Sequence, residues 1–257
     1  MRNEFSPEPI NSKTLLILGG TAVLFLVLAF LALYLFWQTG KPVALWRANG
    51  NALDSVGHHN GTLVNVTFTR GMNGQALEFN GSNAYVRGLD SPALRPASVT
   101  VEAWVRLDTE VTPVANSPGQ QFIIFKKNKM DSMFEGYCLH KNRENGRDFF
   151  RFLVSSGSQQ VMADSTTDAD VDTWYHLAGI YDAKSGDVKL YVNGQLEATS
   201  HANFPLNYGR SPLFIGETGQ WWDGKFGGAI SDVAIYNHAR SSREIAADYH
   251  AGVHGAY

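Results

Sequence analysis

Hydrophobic and polar positions divide the chain into one long apolar run and a series of short alternating segments. The apolar run extends from Leu15 to Trp37 without a charged side chain. As a helix rising about 1.5 Å per residue it would be roughly 34 Å long, enough to cross a membrane once. Secretory signals have shorter apolar stretches followed by a small-residue cleavage site, which Leu33–Trp37 does not provide. The pattern therefore predicts an uncleaved transmembrane helix over residues 14–38, after a short tail at residues 1–13.

The charges around this helix give its orientation. Arg2 and Lys13 precede it and Lys41 and Arg47 follow it, so the terminal amine tips the balance toward a cytoplasmic N-terminus. We expect a plasma or inner membrane protein whose larger part is periplasmic or extracellular. A patch of small residues in the helix would allow a second membrane helix to approach closely, and it consists of Gly19, Gly20 and Thr21.

Residues 43–257, after a linker at 39–45, show the patterning of a β protein. Between Val99 and Leu107 every second residue is apolar, which is the period of a half-buried strand. Asn193-Gly194 is typical of a type I′ hairpin turn, and Ser241 begins a capping box that predicts a short helix to about Tyr249. Further strands are predicted at Gln121–Lys126, Phe149–Ser155, Trp174–Tyr181, Val188–Val192, Leu213–Gly216 and Ala229–Tyr236.

Several segments of this body occur together in one known family. They include Gly74–Gly81, Val99–Val105, Trp174–Gly179, Leu190–Gly194 and Phe226–Asn237. In this order they resemble the laminin-G-like jelly rolls of the concanavalin A-like lectin and glucanase superfamily. The resemblance implies an all-β, two-sheet antiparallel jelly-roll sandwich over roughly Val43 to Ala251. The same fold carries lectins, adhesion modules, glycosidases and inert subunits, so it does not by itself decide function.

Composition and charge limit the kinds of partner and covalent cross-link that the chain can have. With 21 Lys and Arg against 24 Asp and Glu the net charge is −3, which argues against nucleic acid as a partner. A single cysteine, Cys138, rules out a disulfide framework within the chain. The segment from Asp108 to Arg151 carries seven Lys or Arg residues, either as a local basic surface or as solvated loop and edge-strand charges.

The resemblance also implies a metal site. Laminin-G-like modules commonly carry one calcium ion between the first segment and the last strand. Carried over to this chain, Asp54, Asn60 and Asp232 would supply side-chain oxygens, the ligands that calcium prefers. In the alternative interpretation, Asp54 caps a turn with Ser55 and Asp232 hydrogen-bonds the backbone.

A pair of adjacent tryptophans is the most suggestive binding feature. On an extended segment one of Trp221 and Trp222 should face outward, where an indole can stack on a sugar or anchor a protein interface. Tyr208 could add a polar contact to the same ligand. The alternative is that the two indoles cover one end of the sandwich.

Catalysis is not expected from the sequence. A retaining glycosidase needs two carboxylates about 5 to 5.5 Å apart, and no strand carries acids with the corresponding spacing. We therefore expect a non-catalytic, membrane-anchored accessory subunit of a membrane protein complex, whose helix and jelly roll both contact partners. The alternatives are a glycan- or matrix-binding module displayed on a membrane anchor, and a jelly-roll glycoside hydrolase with an unrecognised carboxylate pair.

Overall fold

The computed structural model describes Val27 and residues 40–112, 119–127, 135–219 and 224–254. The chain divides into two compact units, Met1–Lys41 and Pro42–Tyr257. Val27 is helical and exposed. The other residues of the predicted tail and transmembrane helix, with Gly19, Gly20 and Thr21, lie outside the described residues. No helix among the residues described is both long and apolar enough to span a membrane.

Strands make up most of the second unit. They are β1 (Ala44–Trp46), β2 (Gly61–Val64), β3 (Thr67–Arg70), β4 (Gln75–Asn80), β5 (Tyr85–Gly88), β6 (Val99–Leu107), β7 (Gln121–Lys127), β8 (Gly136–Glu144), β9 (Arg147–Ser156), β10 (Gln159–Asp168), β11 (Trp174–Asp182), β12 (Asp187–Val192), β13 (Gln195–His201), β14 (Leu213–Ile215) and β15 (Gly227–Tyr236). A 3₁₀ turn at Pro92–Leu94 and a helix, α1, at Ser242–His254 complete the described elements.

The strands form two antiparallel sheets, which confirms the predicted sandwich. An eight-stranded sheet has the order β13-β12-β11-β6-β15-β4-β3, with β1 pairing to β15. A seven-stranded sheet has the order β10-β9-β8-β7-β14-β5-β2. Buried apolar residues from the facing sides of both sheets, such as Val101, Val105, Leu139 and Phe152, pack into one core.

Strand β6 shows how the sequence pattern and the structure differ. Its bounds agree with the prediction, and Val99, Val101 and the other apolar members of its alternation are fully buried in the core. The opposite side was expected to face water, but Glu102 and Trp104 are buried as well. The reason is α1, whose Tyr249 ring stacks on the Trp104 indole with ring centroids 5.7 Å apart. The helix therefore covers part of the outer face of the eight-stranded sheet.

Local signals in the sequence are confirmed at two turns. Ser241 lies just before α1, and its backbone N–H donates to the Glu244 carboxylate over 2.7 Å, as a capping box requires. The helix continues to His254, five residues beyond the predicted end. Asn193 and Gly194 both have positive φ, at 50° and 77°, and connect β12 to β13 as a type I′ turn should.

Candidate binding face

A second apolar cluster lies on the side of the seven-stranded sheet that faces away from the core. Residues of the cluster alternate along their strands with core residues, as Cys138 does with Tyr137 and Leu139. Four members are buried and Phe214 is partly buried. We call this surface the aromatic face, and its cluster consists of Phe122, Phe125, Cys138, Leu153 and Phe214.

The accessible end of the aromatic face is formed by β5 and β14. The rings of Tyr85 and Phe214 meet edge to face, with centroids 6.0 Å apart and planes inclined by 61°. Both rings are partly exposed. Arg87 is exposed and pairs directly across from Phe214, and it shares the outward side of β5 with Tyr85. Two aromatic rings and a guanidinium group are thus presented together to solvent.

The predicted tryptophan pair comes shortly after β14 in the chain, the strand that carries Phe214 of the aromatic face. Trp221 and Trp222 lie outside the described residues, but the described residues on either side are fixed to the aromatic face. Gly219, with φ of +72°, lies so close to the Phe214 ring that a Cβ would come within 2.5 Å of it. On the other side, the carbonyl of Gly224 accepts a hydrogen bond from the backbone of Phe122. Gly219 and Gly224, the described residues that flank the pair in the chain, therefore lie beside the cluster.

Polar groups of fixed geometry border the aromatic face. Arg151 donates two hydrogen bonds to the Asp164 carboxylate, at 2.6 and 2.7 Å. His140 is buried beneath the Phe122 ring, and its Nδ1 is 3.6 Å from the Cys138 sulfur. Burial lowers the pKa of His140 to about 3 and raises the pKa of the Cys138 thiol. Both groups are therefore neutral near pH 7, and the cysteine has the character of a buried thiol rather than a nucleophile.

The cationic segment between Asp108 and Arg151 does not form a basic surface in the part that the structure describes. Most of its described Lys and Arg side chains are instead paired with carboxylates, and Lys141 and Arg143 share Asp148. Lys126 donates to Asp90 over 2.7 Å, Lys141 pairs with Asp148, and Arg147 donates to Asp168 over 2.6 Å. These pairs reduce the local positive charge, in agreement with the expected alternative of solvated and edge-strand charges.

Tyr208 lies away from the aromatic face and supports the loop before β14. Its hydroxyl donates to the carbonyl of Pro96 over 2.8 Å. Its ring packs against Tyr137 with centroids 6.0 Å apart. Burial raises the pKa of Tyr208, so the hydroxyl remains a donor at neutral pH. Tyr208 therefore packs against the core between the two sheets, whereas Phe214 packs against the cluster of the aromatic face.

The first two residues of the predicted calcium set lie together. Oδ1 of Asp54 accepts hydrogen bonds from the backbone of Leu45 and Val56, and Oδ2 accepts from Gly57 and His59. The His59 ring adds a further contact to Oδ2 at 2.8 Å. Burial opposes ionisation of Asp54, but the backbone hydrogen bonds outweigh it and lower the pKa. Asp54 is thus the centre of a turn, as the alternative interpretation expected.

The remaining calcium residues are engaged differently. Oδ1 of Asn60 accepts the backbone N–H of Asp54 over 3.1 Å. Asp232 lies on β15 with φ of +51°, and its buried Oδ2 has no hydrogen-bond partner among the described residues. No group of three His, Cys, Asp or Glu side chains is placed to bind a metal ion in the described ranges. The three residues do not offer one set of free oxygens here, and calcium binding stays a prediction.

The family is shown by sequence. A laminin G family model, described as the concanavalin A-like lectin/glucanases superfamily, matches residues 80–246. This chain belongs to that superfamily. The match runs from the last residue of β4 through β15 into α1, and so it includes Tyr85, Phe214 and Gly219. No curated protein sequence matches this chain.

Solved structures show the same fold at low identity. Domain 4 of AbnA, an extracellular arabinanase from Geobacillus stearothermophilus, was solved with arabinotriose and is 21% identical, covering 81% of this chain and 98% of that chain with a TM-score of 0.64. The ligand binding domain of botulinum neurotoxin serotype D, solved with N-acetylneuraminic acid, is 14% identical over 82% of this chain, with a TM-score of 0.59. The binding domain of Paraclostridial Mosquitocidal Protein 1 is also 14% identical over 82% of this chain, with a TM-score of 0.63. This chain covers only about half of each toxin domain, at 51% and 52%.

Proposed function

We propose that the protein is a non-catalytic carbohydrate-binding module whose ligand contacts the accessible end of the aromatic face. The observation that carries this proposal is the partly exposed ring pair of Tyr85 and Phe214, bordered by Arg87. Sugar rings bind through stacking of their C–H faces on aromatic rings and through planar polar side chains that hydrogen-bond hydroxyl groups. Both kinds of group are present on one rigid sheet surface, where little ordering is needed on binding.

Two further points support a carbohydrate ligand. Gly219 and Gly224, the described residues on either side of Trp221 and Trp222 in the chain, lie beside this surface. The fold is also that of domains solved with arabinotriose and with N-acetylneuraminic acid. These neighbours include binding domains of toxins, which favours binding over catalysis for this chain too.

The test is a titration of the purified full-length protein with arabinotriose and, separately, with N-acetylneuraminic acid, followed by isothermal calorimetry. We expect one of these sugars, or a related oligosaccharide in a wider series, to bind to the unmodified protein. Phe214→Ala should weaken that binding at least tenfold, because one stacking ring is removed. Leu196→Ala is the matched control, since Leu196 is an exposed apolar residue on the other sheet. Equal loss in both variants, or none in either, would argue against the aromatic face.

The membrane-anchored accessory subunit remains a second proposal, and it depends on the apolar run from Leu15 to Trp37. In this arrangement the helix places the sandwich on the periplasmic or extracellular side, and the small residues Gly19, Gly20 and Thr21 contact a partner helix. Native mass analysis after mild detergent extraction tests it. A complex of fixed stoichiometry that is lost when Gly19 and Gly20 become Leu supports the proposal, whereas a protein that runs alone contradicts it.

Calcium binding by the predicted residues is tested in a separate experiment. If Asp54, Asn60 and Asp232 bind the ion, calcium should raise the melting temperature of the full-length protein and a chelator should reverse the shift. An unchanged melting temperature in millimolar calcium would leave Asp54 with its turn-forming role alone.

A further inference from the structure

A cavity of about 170 Å³ lies on the opposite side of the molecule from the aromatic face. It is lined by strands β1, β6, β11 and β15 of the eight-stranded sheet and by α1. One part of its lining is polar and one part is apolar. The polar part includes Glu102, His176 and Asp232, and the apolar part includes Pro42, Leu45 and Ala234.

Three polar atoms of this cavity lining are buried and have no hydrogen-bond partner among the described residues. Two are Nδ1 of His176 and Oδ2 of Asp232, in residues that are 2% and 9% exposed, and the third is the indole N–H of Trp104, which is a donor. Nε2 of His176 is 3.3 Å from the Glu102 carboxylate, so the neutral ring carries its proton on Nε2 and Nδ1 is an acceptor. The cavity therefore contains two acceptors that lack donors, and such groups are costly to bury.

The charges around the cavity also favour a positively charged ligand that donates hydrogen bonds. Arg240 donates to Glu102 over 2.6 Å and also pairs with Asp248, so its charge is shared between two carboxylates. Arg47 lines the cavity, whereas Arg240 is not a lining residue and reaches it only through its pairs with Glu102 and Asp248. Apart from the His176 ring, the lining carboxylates Glu102, Asp232 and Asp248 exceed Arg47 and Arg240 by one charge.

We propose that this cavity binds a primary alkylammonium group, either that of a lysine side chain or that of a free amine. An ammonium group has three donors and no acceptor. Two donors match Oδ2 of Asp232 and Nδ1 of His176, and the alkyl stem packs against Pro42, Leu45 and Ala234. A cavity of about 150 Å³ can hold a benzene molecule, so about six non-hydrogen atoms fit here. The site is independent of the carbohydrate proposal because it lies on the other sheet.

Calorimetric titration of the full-length protein with n-butylamine at pH 7.5 tests this proposal. The amine should bind, and the neutral isostere 1-butanol should bind at least tenfold more weakly. Asp232→Asn should weaken the amine about tenfold or more, because a charge-assisted hydrogen bond is lost. Asp187→Asn is the matched control, since it is the same substitution on a strand of the same sheet and Asp187 does not line the cavity.

A second variant keeps the test valid if Asp232→Asn changes the fold. Ala234→Val narrows the apolar part of the cavity without altering its charge, and it should weaken n-butylamine while leaving sugar binding unchanged. Nα-acetyl-lysine amide and ethanolamine, titrated in parallel, distinguish a peptide lysine from a small free amine. The proposal is overturned if n-butylamine binds no more tightly than 1-butanol, or if both cavity variants bind it as the unmodified protein does.

Discussion

The carboxyl groups of Glu78 and Asp108 interact directly beside the eight-stranded sheet. Burial of Glu78 and its hydrogen bond with Asp108 raise the pKa of Glu78 to about 7, and the attraction of Arg106 only partly offsets this. Oε2 of Glu78 has no donor partner among the described residues. When Glu78 is protonated, its carboxyl group can donate a hydrogen bond instead of lacking one.

This pair predicts a pH dependence of stability. Above its ordinary pKa of 4.5, Glu78 loses its proton in the unfolded chain but keeps it in the folded protein until about pH 7. The free energy of unfolding should therefore fall as the pH rises from about 4.5 to 7, and level off above that range. Glu78→Gln should remove this fall and make the protein more stable at pH 8. Urea unfolding between pH 5 and 8.5 measures both effects, and parallel curves for the two proteins would contradict the assignment.

Asp54 predicts the opposite dependence on pH. Its folded pKa is lowered, so the stability that it supplies is present above its unfolded pKa and is lost as the pH falls through the folded value. Asp54→Asn should cost about 3 kcal/mol at pH 7, because an amide cannot accept at both positions from four backbone donors. Asn51→Ala is a control, since the Asn51 side chain forms only exposed hydrogen bonds in the same loop. Equal unfolding midpoints in denaturant would contradict this role.

Substitutions at two glycines distinguish the stability cost of backbone strain from the stability cost of a side-chain clash. Gly146 and Gly219 both have positive φ, at 81° and 72°, but a Cβ at Gly146 meets open space while one at Gly219 meets Phe214. Gly146→Ala should cost about 1 kcal/mol of stability from backbone strain. Gly219→Ala should cost about 1 to 3 kcal/mol more, because the Phe214 ring must move. If sugar binding depends on Phe214, only the second variant should weaken it in calorimetry.

The ion network beneath α1 should be a strong contributor to stability. Arg240→Met leaves Glu102 and Asp248 without their shared cation, and a buried pair broken on one side costs about 3 to 5 kcal/mol. Lys189→Met provides the comparison, since its pair with Asp187 is near the surface, where solvent screens the attraction, and its loss should change stability far less. Chemical denaturation of both variants should show this difference, and equal small losses would argue against the network.

The fold was predictable where alternation is regular, as in β6, and at turns with a local chemical signal, such as Asn193-Gly194. Strand β8 was missed because both of its sides are buried, so Cys138 and His140 interrupt any apolar period. Lys141 within it is buried through its ion pair with Asp148 and not by hydrophobicity.

The candidate site was predictable only in part. The tryptophan pair drew attention to the segment between β14 and β15. However, Tyr85 and Phe214 lie on strands that are distant in the chain and meet only because β5 pairs with β14. The cavity beneath α1 was likewise hidden, since it depends on a helix covering strands from both ends of the chain.

The pairing of the first strand with the last has a mechanical consequence. The backbone of Val43 donates to the carbonyl of Ile235, and the three residues of β1 continue the contact along β15. A pulling force applied through the chain before Pro42 is therefore borne first by this short strand, before it reaches the core. Under tension the sandwich should yield by peeling β1 away from β15, which frees a few residues of chain while the seven-stranded sheet keeps its shape.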